Sequence, residues 1–230
     1  QLQYLLGSCT DRVAAYERAV ANYGHAVELD PQVHYWYRKA RLSYSIASLL
    51  LASEPARARD WLQRGIEDIG QAIQASPRNA VYLHDQAWML YNAWNWAEAK
   101  GLAEQEGLLQ ARANLLAALA LDPSDRGTGY RPNFWLGLVE PEAVAGTQTL
   151  GDSRRDAGDA SGALAYYELL AHYMPEAAEG AFAAGLGYLA LDDEEKALAW
   201  YREGLQRADD AGDEAGPEEA LLALYLAAAG

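Results

Sequence analysis

Four segments of the sequence end in the same way, at a proline that follows a short run rich in alanine and leucine. They are AVELDP (26–31), AIQASP (72–77), ALALDP (118–123) and LAHYMP (170–175). Proline lacks the backbone N–H that continues a helix, and it restricts the residue before it, so each proline predicts the end of a helix. A fifth segment, QRAD (206–209), reaches the same register without the proline. The sequence therefore predicts a repeating array of helices.

The composition agrees with an all-α fold. Alanine and leucine dominate, whereas valine, isoleucine and threonine are sparse, and 51% of the 230 residues are apolar. Alanine and straight side chains lose little conformational freedom in a helix, so this bias favours helix over strand. No serine-, glycine- or proline-rich run divides the chain, which predicts a single array over residues 1–230.

The net charge of −15 is unevenly distributed. Residues 1–125 contain 11 Lys/Arg and 14 Asp/Glu, whereas residues 126–230 contain 7 and 19, which gives −3 and −12. A phosphate backbone would be repelled by the second half, so we expect no nucleic-acid partner. No apolar run of about 18 residues occurs, and we expect no membrane insertion by this segment. The single cysteine, Cys9, excludes an internal disulfide framework.

Residues 178–211 place small and aromatic residues at regular positions. Gly185, Ala197 and Gly204 are the eighth, twentieth and twenty-seventh residues, while Tyr188 and Tyr201 are the eleventh and twenty-fourth. Small residues let two helices approach closely, and aromatic residues fill the space beside them. Residues 144–177 repeat part of the pattern with Gly151, Ala163 and Tyr167.

This pattern resembles the 34-residue unit of the tetratricopeptide repeat (TPR) family. The resemblance implies a right-handed α-solenoid of about five helical hairpins, followed here by a C-terminal helix. The expected units are residues 1–33, 34–79, 80–125, 144–177 and 178–211, with an inter-repeat loop at 126–143 and a terminal helix at 217–229. The second and third units contain 12 residues more than the standard unit, which predicts that their helices are lengthened by about three turns in total.

The predicted loop 126–143 contains Gly127, Gly129, Pro132 and Pro141, which we expect to break helix at both ends, with a short helical turn at 134–139. Three aromatic residues lie in it, at Tyr130, Phe134 and Trp135. Two interpretations stay open: the rings anchor the seam between long and standard repeats, or they bind a partner.

The resemblance also implies a concave groove lined by the first helix of each unit. Carried over to this sequence, the groove positions include Tyr35, Arg38, His84, Trp88, Tyr91, Asn92, Gln148, Asp152, Arg155 and Phe182. The chain contains 15 Tyr and 7 Trp but 2 Phe, and Tyr and Trp suit interfaces because each combines an apolar ring with a hydrogen-bonding tip. The alternative is that most of these rings fill gaps left by the lengthened helices.

No pattern typical of an enzyme or a metal site is present. The histidines (His25, His34, His84 and His172) lack a second ligand at helical metal-binding spacing, and His84 and Asp85 are adjacent, so we expect them to point apart. DRGTGYR (125–131) lacks the Gly-Lys-Ser/Thr ending of a phosphate loop. We expect no catalytic residues, no metal and no cofactor.

Three functions are compatible with these observations. The first is a non-enzymatic scaffold that binds a peptide or helix of another protein in the groove. The second follows from a weaker resemblance to the soluble TPR tails of bacterial membrane proteins of the O-antigen ligase/polymerase type, and implies that the segment positions cell-envelope glycan or a partner outside the cytoplasm. The third is self-association, as a homodimer, through apolar ends. The chain begins inside a repeat and ends in an apolar helix, so we expect a segment of a longer protein.

Overall fold

The computed structural model describes the backbone of residues 2–124 and 129–211, and the side chains of 11–124 and 129–210. The elements in these ranges are helices, which confirms the all-α prediction. They are α1 (Leu2–Leu29), α2 (Val33–Leu50), α3 (Pro55–Ala75), α4 (Ala80–Trp96), α5 (Leu102–Leu121), α6 (Pro132–Pro141), a π-helical turn (Glu142–Gly146), α7 (Thr147–Asp156), α8 (Ala160–Tyr173), α9 (Ala178–Leu189) and α10 (Glu194–Ala211).

The helices end where the prolines predict. Helices α1, α3, α5 and α8 end at Leu29, Ala75, Leu121 and Tyr173, each two residues before its proline. The lengthening of the middle repeats is also confirmed. Helices α2 to α5 contain 18, 21, 17 and 20 residues, whereas α8 and α9 contain 14 and 12; α10, in the last standard unit, contains 18.

The chain forms two compact units. Unit 1 comprises Gln1–Lys100 and Gln110–Val139, and unit 2 comprises Gly101–Leu109 and the chain from Glu140 onward. In unit 1, α2 packs against both α1 and α3, and α3 packs against α4. In unit 2, α8 packs against α7 and α9, and α9 packs against α10. From α1 to α4 and from α7 to α10, helices that are neighbours in sequence therefore pack against each other.

The first predicted hairpin is wrong. Residues 2–29 form the single continuous helix α1 instead of two helices joined by a turn. Between Gly7 and Gly24 the sequence contains neither glycine nor proline, so nothing there favours a turn over continued helix.

The predicted loop at 126–143 is also largely wrong. Helix α6 begins at Pro132 and continues through the π-helical turn into α7. Pro132 occupies the first helical position, where a missing N–H costs nothing, and Pro141 is followed at once by the wider turn of the π-helix. Residues 125–128 of the predicted loop and the predicted helix at 217–229 lie outside the described residues.

Close helix contacts in unit 2 depend on glycine. A Cβ atom on Gly151 would lie 2.7 Å from the ring of Tyr167, and one on Gly204 would lie 2.4 Å from the ring of Phe182. On Gly180 it would lie 2.8 Å from the backbone nitrogen of Ala171. Gly151 and Gly204 occupy repeat positions at which small residues are expected to allow close packing, and the structure confirms that role.

Replacing Gly180 or Gly137 by alanine tests the close packing, because the first position is crowded and the second is open. We expect Gly180→Ala to destabilise the fold by about 1–3 kcal/mol, because the new methyl group meets backbone that a side-chain rotation cannot relieve. Gly137 lies within α6, and a Cβ added there would meet no heavy atom within 4 Å. Gly137→Ala should therefore stabilise the protein by about 0.5–1 kcal/mol. Urea unfolding of both variants measures the difference, and equal midpoints would contradict the tight packing of α8 against α9.

Candidate functional site

Aromatic side chains of α4 and α6 form one continuous cluster in unit 1. Trp88, Tyr91 and Trp94 follow each other at three-residue spacing and therefore share a face of α4. The ring of Trp135 on α6 lies 6.3 Å from that of Trp88, 5.6 Å from Tyr91 and 5.4 Å from Phe134, measured between centroids. We call these five side chains the aromatic surface. It joins predicted groove residues (Trp88, Tyr91) to predicted loop residues (Phe134, Trp135).

The aromatic surface is partly open to solvent. Phe134 is 44% exposed, and Leu138, one turn later on α6, is 40% exposed. Trp88, Tyr91 and Trp135 are half-buried. Rings of this kind keep an accessible edge while their packing holds them in place, which is the arrangement common in protein interfaces.

Further aromatic residues support the surface from α2 and from the end of α4. The ring of Tyr44 lies 4.0 Å from that of Trp88 and 6.0 Å from that of Trp96. Asn92, a predicted groove residue, uses its side-chain amide to donate to the carbonyl of Trp88 at 2.7 Å. The contact with Tyr44 helps to fix the position of the Trp88 ring, whereas the Asn92 hydrogen bond is made to the backbone of the same helix.

Two cations lie over rings of the aromatic surface. Lys100 Nζ is 4.4 Å from the Trp94 centroid, and it also donates to the carbonyl of Trp94. The guanidinium carbon of Arg131 is 4.2 Å from the Phe134 centroid. A cation over an aromatic face is attracted by the ring's quadrupole. The surface therefore carries positive charge at two of its edges.

A buried polar network connects α2 to α4. Asp85 is 1% exposed, and its Oδ2 accepts hydrogen bonds from the Tyr37 hydroxyl and from Arg41 Nη1, both at 2.8 Å. Its Oδ1 lies 3.0 Å from His84 Nδ1. Burial acts to raise the pKa of Asp85, but the hydrogen bonds from His84 and Arg41, with the nearby charge of Arg41, outweigh it and lower the pKa. Burial and the neighbouring carboxylate raise the pKa of Tyr37 to about 12.

The same network fixes the start of α6. The backbone N–H of Arg131 donates to His84 Nε2 at 3.1 Å. Because Nε2 accepts there, the proton of a neutral imidazole lies on Nδ1 and is donated to Asp85. The Tyr130 ring packs 5.0 Å from His84, and its hydroxyl lies 3.1 and 2.9 Å from the carbonyl oxygens of Ala118 and Asp122.

Two expectations about these residues are wrong. His84 and Asp85 do not point apart, since their side chains meet, and His84 is 4% exposed, so it is not available to a partner in a groove. Tyr130 is also 4% exposed. Tyr130 packs as an anchor against His84, whereas Phe134 and Trp135 belong to the aromatic surface.

Two of the predicted groove residues of unit 2, Asp152 and Arg155, have partners within the unit. Asp152 accepts from the Tyr167 hydroxyl at 2.7 Å and forms an ion pair with Arg155 at 3.0 Å. Gln148 is half-buried on α7. Phe182 is 3% exposed and packs where Gly204 leaves room for its ring, so the prediction that it faces a partner is wrong.

The remaining groove predictions lie on α2. Tyr35 is half-buried with its ring 6.1 Å from that of Tyr23, and Arg38 is exposed. Sequence reasoning missed Trp94, Lys100 and Arg131. The three-residue spacing from Tyr91 could have identified Trp94, whereas the two cations are placed by the turn after α4 and by the start of α6.

The two units differ sharply in charge. Unit 1 contains 13 Lys/Arg and 12 Asp/Glu, whereas unit 2 contains 5 and 21, which gives net charges of +1 and −16. Among the described residues, no group of three or more His, Cys, Asp or Glu is arranged to hold a metal ion. None of the helices in the described ranges is long and apolar enough to cross a membrane.

Comparisons with known proteins identify similar structures only. No protein-family profile matches the sequence, and no curated protein matches it. Solved structures similar to this chain include TTC0263, a thermophilic TPR protein of Thermus thermophilus, with 19% identity, a TM-score of 0.40, and coverage of 97% of this chain and 95% of that one. Two structures of MamA have 14% and 12% identity and TM-scores of 0.29, covering 86% and 88% of this chain and 91% and 95% of theirs. The helical pairing described above is established by this chain's own contacts.

Asp85 and Asp68 provide a test of the buried network. The pKa of Asp85 is lowered, so the ionised side chain stabilises the folded state at pH values above its ordinary pKa of 3.8. This contribution is lost as the pH falls below that value. Asp85→Asn should cost about 1.5–3 kcal/mol at pH 7, and the loss should shrink towards pH 3. Urea unfolding at both pH values measures it.

Asp68 is the control. It is also buried and pairs with Lys39 at 2.8 Å, but burial outweighs Lys39 and raises its pKa. A raised carboxyl pKa means that the ionised form of Asp68 is disfavoured in the folded state. The stability of Asp68→Asn, measured relative to the parent protein, should therefore increase as the pH rises from 3 to 7. The two variants should therefore change in opposite directions with pH. A parallel response would contradict the network.

Proposed function

We propose that this protein is a non-enzymatic scaffold for protein–protein interaction and that the aromatic surface of unit 1 is its peptide-binding face. One observation carries the proposal. Residues expected in a groove and residues expected in a separate loop lie together on α4 and α6, with Trp135 in contact range of Trp88, Tyr91 and Phe134. Tyr and Trp are enriched among the side chains that dominate binding energy at interfaces.

The exposed apolar side chains support the same assignment. Phe134 and Leu138 are separated by one helical turn, so they face the same direction beside the half-buried rings. A partner that covers them removes apolar area from water, worth roughly 25 cal/mol per Å². Trp88 and Tyr91 are already held by ring contacts with Tyr44 and Trp135, which reduces the loss of conformational entropy on binding.

The polar groups beneath the surface support a structural role over a catalytic one. Both ring nitrogens of His84 are engaged, one by Asp85 and one by the Arg131 backbone. Asp85 in turn is surrounded by three donors in the buried network. Groups used in this way hold α6 in place, and catalysis needs polar groups that converge on a space a substrate can enter.

A peptide-display selection tests the binding face. Random peptides of about 16 residues are selected for binding to the chain. The affinity of the recovered ligands is then measured for the parent chain and for Trp88→Ala, Tyr91→Ala and Phe134→Ala. We expect each substitution to weaken binding by about tenfold or more, equivalent to about 1.4 kcal/mol. Trp36→Ala is the matched control, because Trp36 is a half-buried tryptophan of α2 that belongs to unit 1 but not to the aromatic surface.

Circular dichroism and urea unfolding confirm that each variant remains folded before affinities are compared. Ligands that bind all variants as tightly as the parent chain would contradict the assignment. Affinity that depends on protein concentration through dimer formation would instead favour self-association.

A further inference from the structure

We propose that His84 is a pH-sensitive switch: a proton taken up at its Nε2 atom breaks the hydrogen bond from the Arg131 backbone and releases the start of α6 from α4. Because Phe134 and Trp135 lie on α6, the aromatic surface is assembled at neutral pH and opens in acid. The switch stands on the contacts of His84 alone, whereas its effect on peptide binding rests on the proposed function.

Both ring nitrogens of His84 are used while α6 is attached. Nδ1 donates to Asp85 Oδ1 at 3.0 Å, and Nε2 accepts the Arg131 N–H at 3.1 Å. A neutral imidazole has one donor and one acceptor, so it matches these two partners. An imidazolium has two donors and no acceptor. The attached state therefore requires that His84 is neutral.

A proton on Nε2 would place two donors against each other. The Nε2–H and the Arg131 N–H would meet at 3.1 Å, and neither would have an acceptor, which is costly in a buried site. His84 is 4% exposed, and the Tyr130 ring packs 5.0 Å from it, so water reaches these donors only if α6 separates from α4. The separated state thus binds one proton more than the attached state, and a fall in pH favours it.

The charges around Asp85 do not compensate a second cation. The carboxylate is negative, but Arg41 already neutralises it through an ion pair at 2.8 Å. Tyr37, which also donates to Asp85, is neutral because burial and the neighbouring carboxylate raise its pKa to about 12. A protonated His84 would therefore leave one positive charge without a counter-charge in a buried network, which further favours separation.

The helices on the two sides of α4 have ionisable groups that are engaged elsewhere. On α3, which packs against α4, the buried ionisable side chain is Asp68, and it pairs with Lys39 of α2 at 2.8 Å. On α5 the buried ionisable side chain is Arg112, which has a partner of its own.

The ionisable groups near the start of α6 are also engaged. Asp122, just after α5, accepts from the Ser124 backbone at 3.1 Å, and the guanidinium of Arg131 lies over the Phe134 ring. In the part of the chain that the structure describes, Asp85 is the carboxylate in contact with His84. The proton balance of the switch therefore depends on His84 and on the network around Asp85.

The switch operates at a higher pH than the acid loss of the network. Histidine is the side chain whose charge ordinarily changes between about pH 5 and 8. Burial acts to raise the pKa of Asp85, but the hydrogen bonds from His84 and Arg41 outweigh it and hold the pKa below 3.8. Asp85 therefore stays ionised while His84 gains its proton, and opening of α6 precedes any wider acid unfolding.

Fluorine NMR of the protein labelled with 5-fluorotryptophan tests the switch without any ligand. The seven tryptophans give separate signals, and Trp88→Phe and Trp135→Phe assign the two that meet between α4 and α6. If the open form alone binds the proton, as a free histidine with a pKa near 6.5, the ratio of open to attached forms rises about tenfold from about pH 7.5 to 5.5. The Trp61 signal, from α3 and outside the aromatic surface, should not change.

Two glutamine variants locate the effect. His84→Gln cannot titrate, but its amide group can still donate to Asp85 and accept from the Arg131 N–H, so we expect the ratio to change less than about twofold over the same range. His25→Gln removes a histidine whose side chain is 70% exposed on α1, and it should keep the full response of the parent protein. A full response in His84→Gln would overturn the switch.

The parent protein provides a second measurement that needs no variant at position 84. Nitrogen NMR of labelled histidine shows when Nε2 of His84 gains its proton, and this step should coincide with the change at Trp88 and Trp135. A proton gained with no change in these two signals would overturn the switch. A change in the two signals while His84 stays neutral would do the same. Circular dichroism over the same range should show that the helices remain formed.

Peptides recovered by display selection connect the switch with binding. For selected peptides that contain no histidine, we expect affinity to fall in acid in proportion to the attached fraction, and to stay constant for His84→Gln. If α6 opens in acid but no ligand depends on Trp88 or Tyr91, the switch stands and the proposed function fails. If ligands depend on these rings and the NMR shows no opening, the binding face stands and the switch is wrong.

Discussion

The attachment of α6 to α4 depends on a short chain of hydrogen bonds that begins at Asp85. Arg41 and Tyr37 stabilise the carboxylate, the carboxylate accepts from His84, and His84 accepts the backbone N–H of Arg131. Each partner satisfies a group that would be costly to bury alone. The network thereby places Trp135 against Trp88 and Tyr91, and the aromatic surface exists because these helices are held together.

The repeated helix stops and the helix lengths could be predicted from the sequence because they depend on local rules. Proline removes a hydrogen bond from the interior of a helix and so usually ends it, and 12 additional residues in a helical repeat are accommodated by longer helices. The same rules failed at two places for a physical reason. Pro132 is at a first helical position and Pro141 precedes a π-helical turn, so neither acts as a breaker, and α1 has no breaker at all between its two expected halves.

The candidate site was predictable in part. The resemblance to the repeat family implied groove positions at Trp88 and Tyr91, and Phe134 and Trp135 were aromatic residues of the predicted loop, but nothing local indicates that these two pairs meet. Their contact depends on the hydrogen bond between His84 and the Arg131 backbone, which joins residues 47 positions apart. The buried positions of His84 and Phe182 likewise depend on tertiary packing. Repeat register alone assigned both to a groove.

The backbone amide of Arg131 has an unusual acceptor for an N–H at the start of a helix, because its hydrogen bond goes to an imidazole nitrogen. Amide hydrogens exchange with solvent only when their hydrogen bond opens. The exchange rate of this one amide therefore reports the opening of α6 from α4, separately from the unfolding of either helix. The exchange of the Arg131 amide hydrogen thus measures how stably the aromatic surface is assembled.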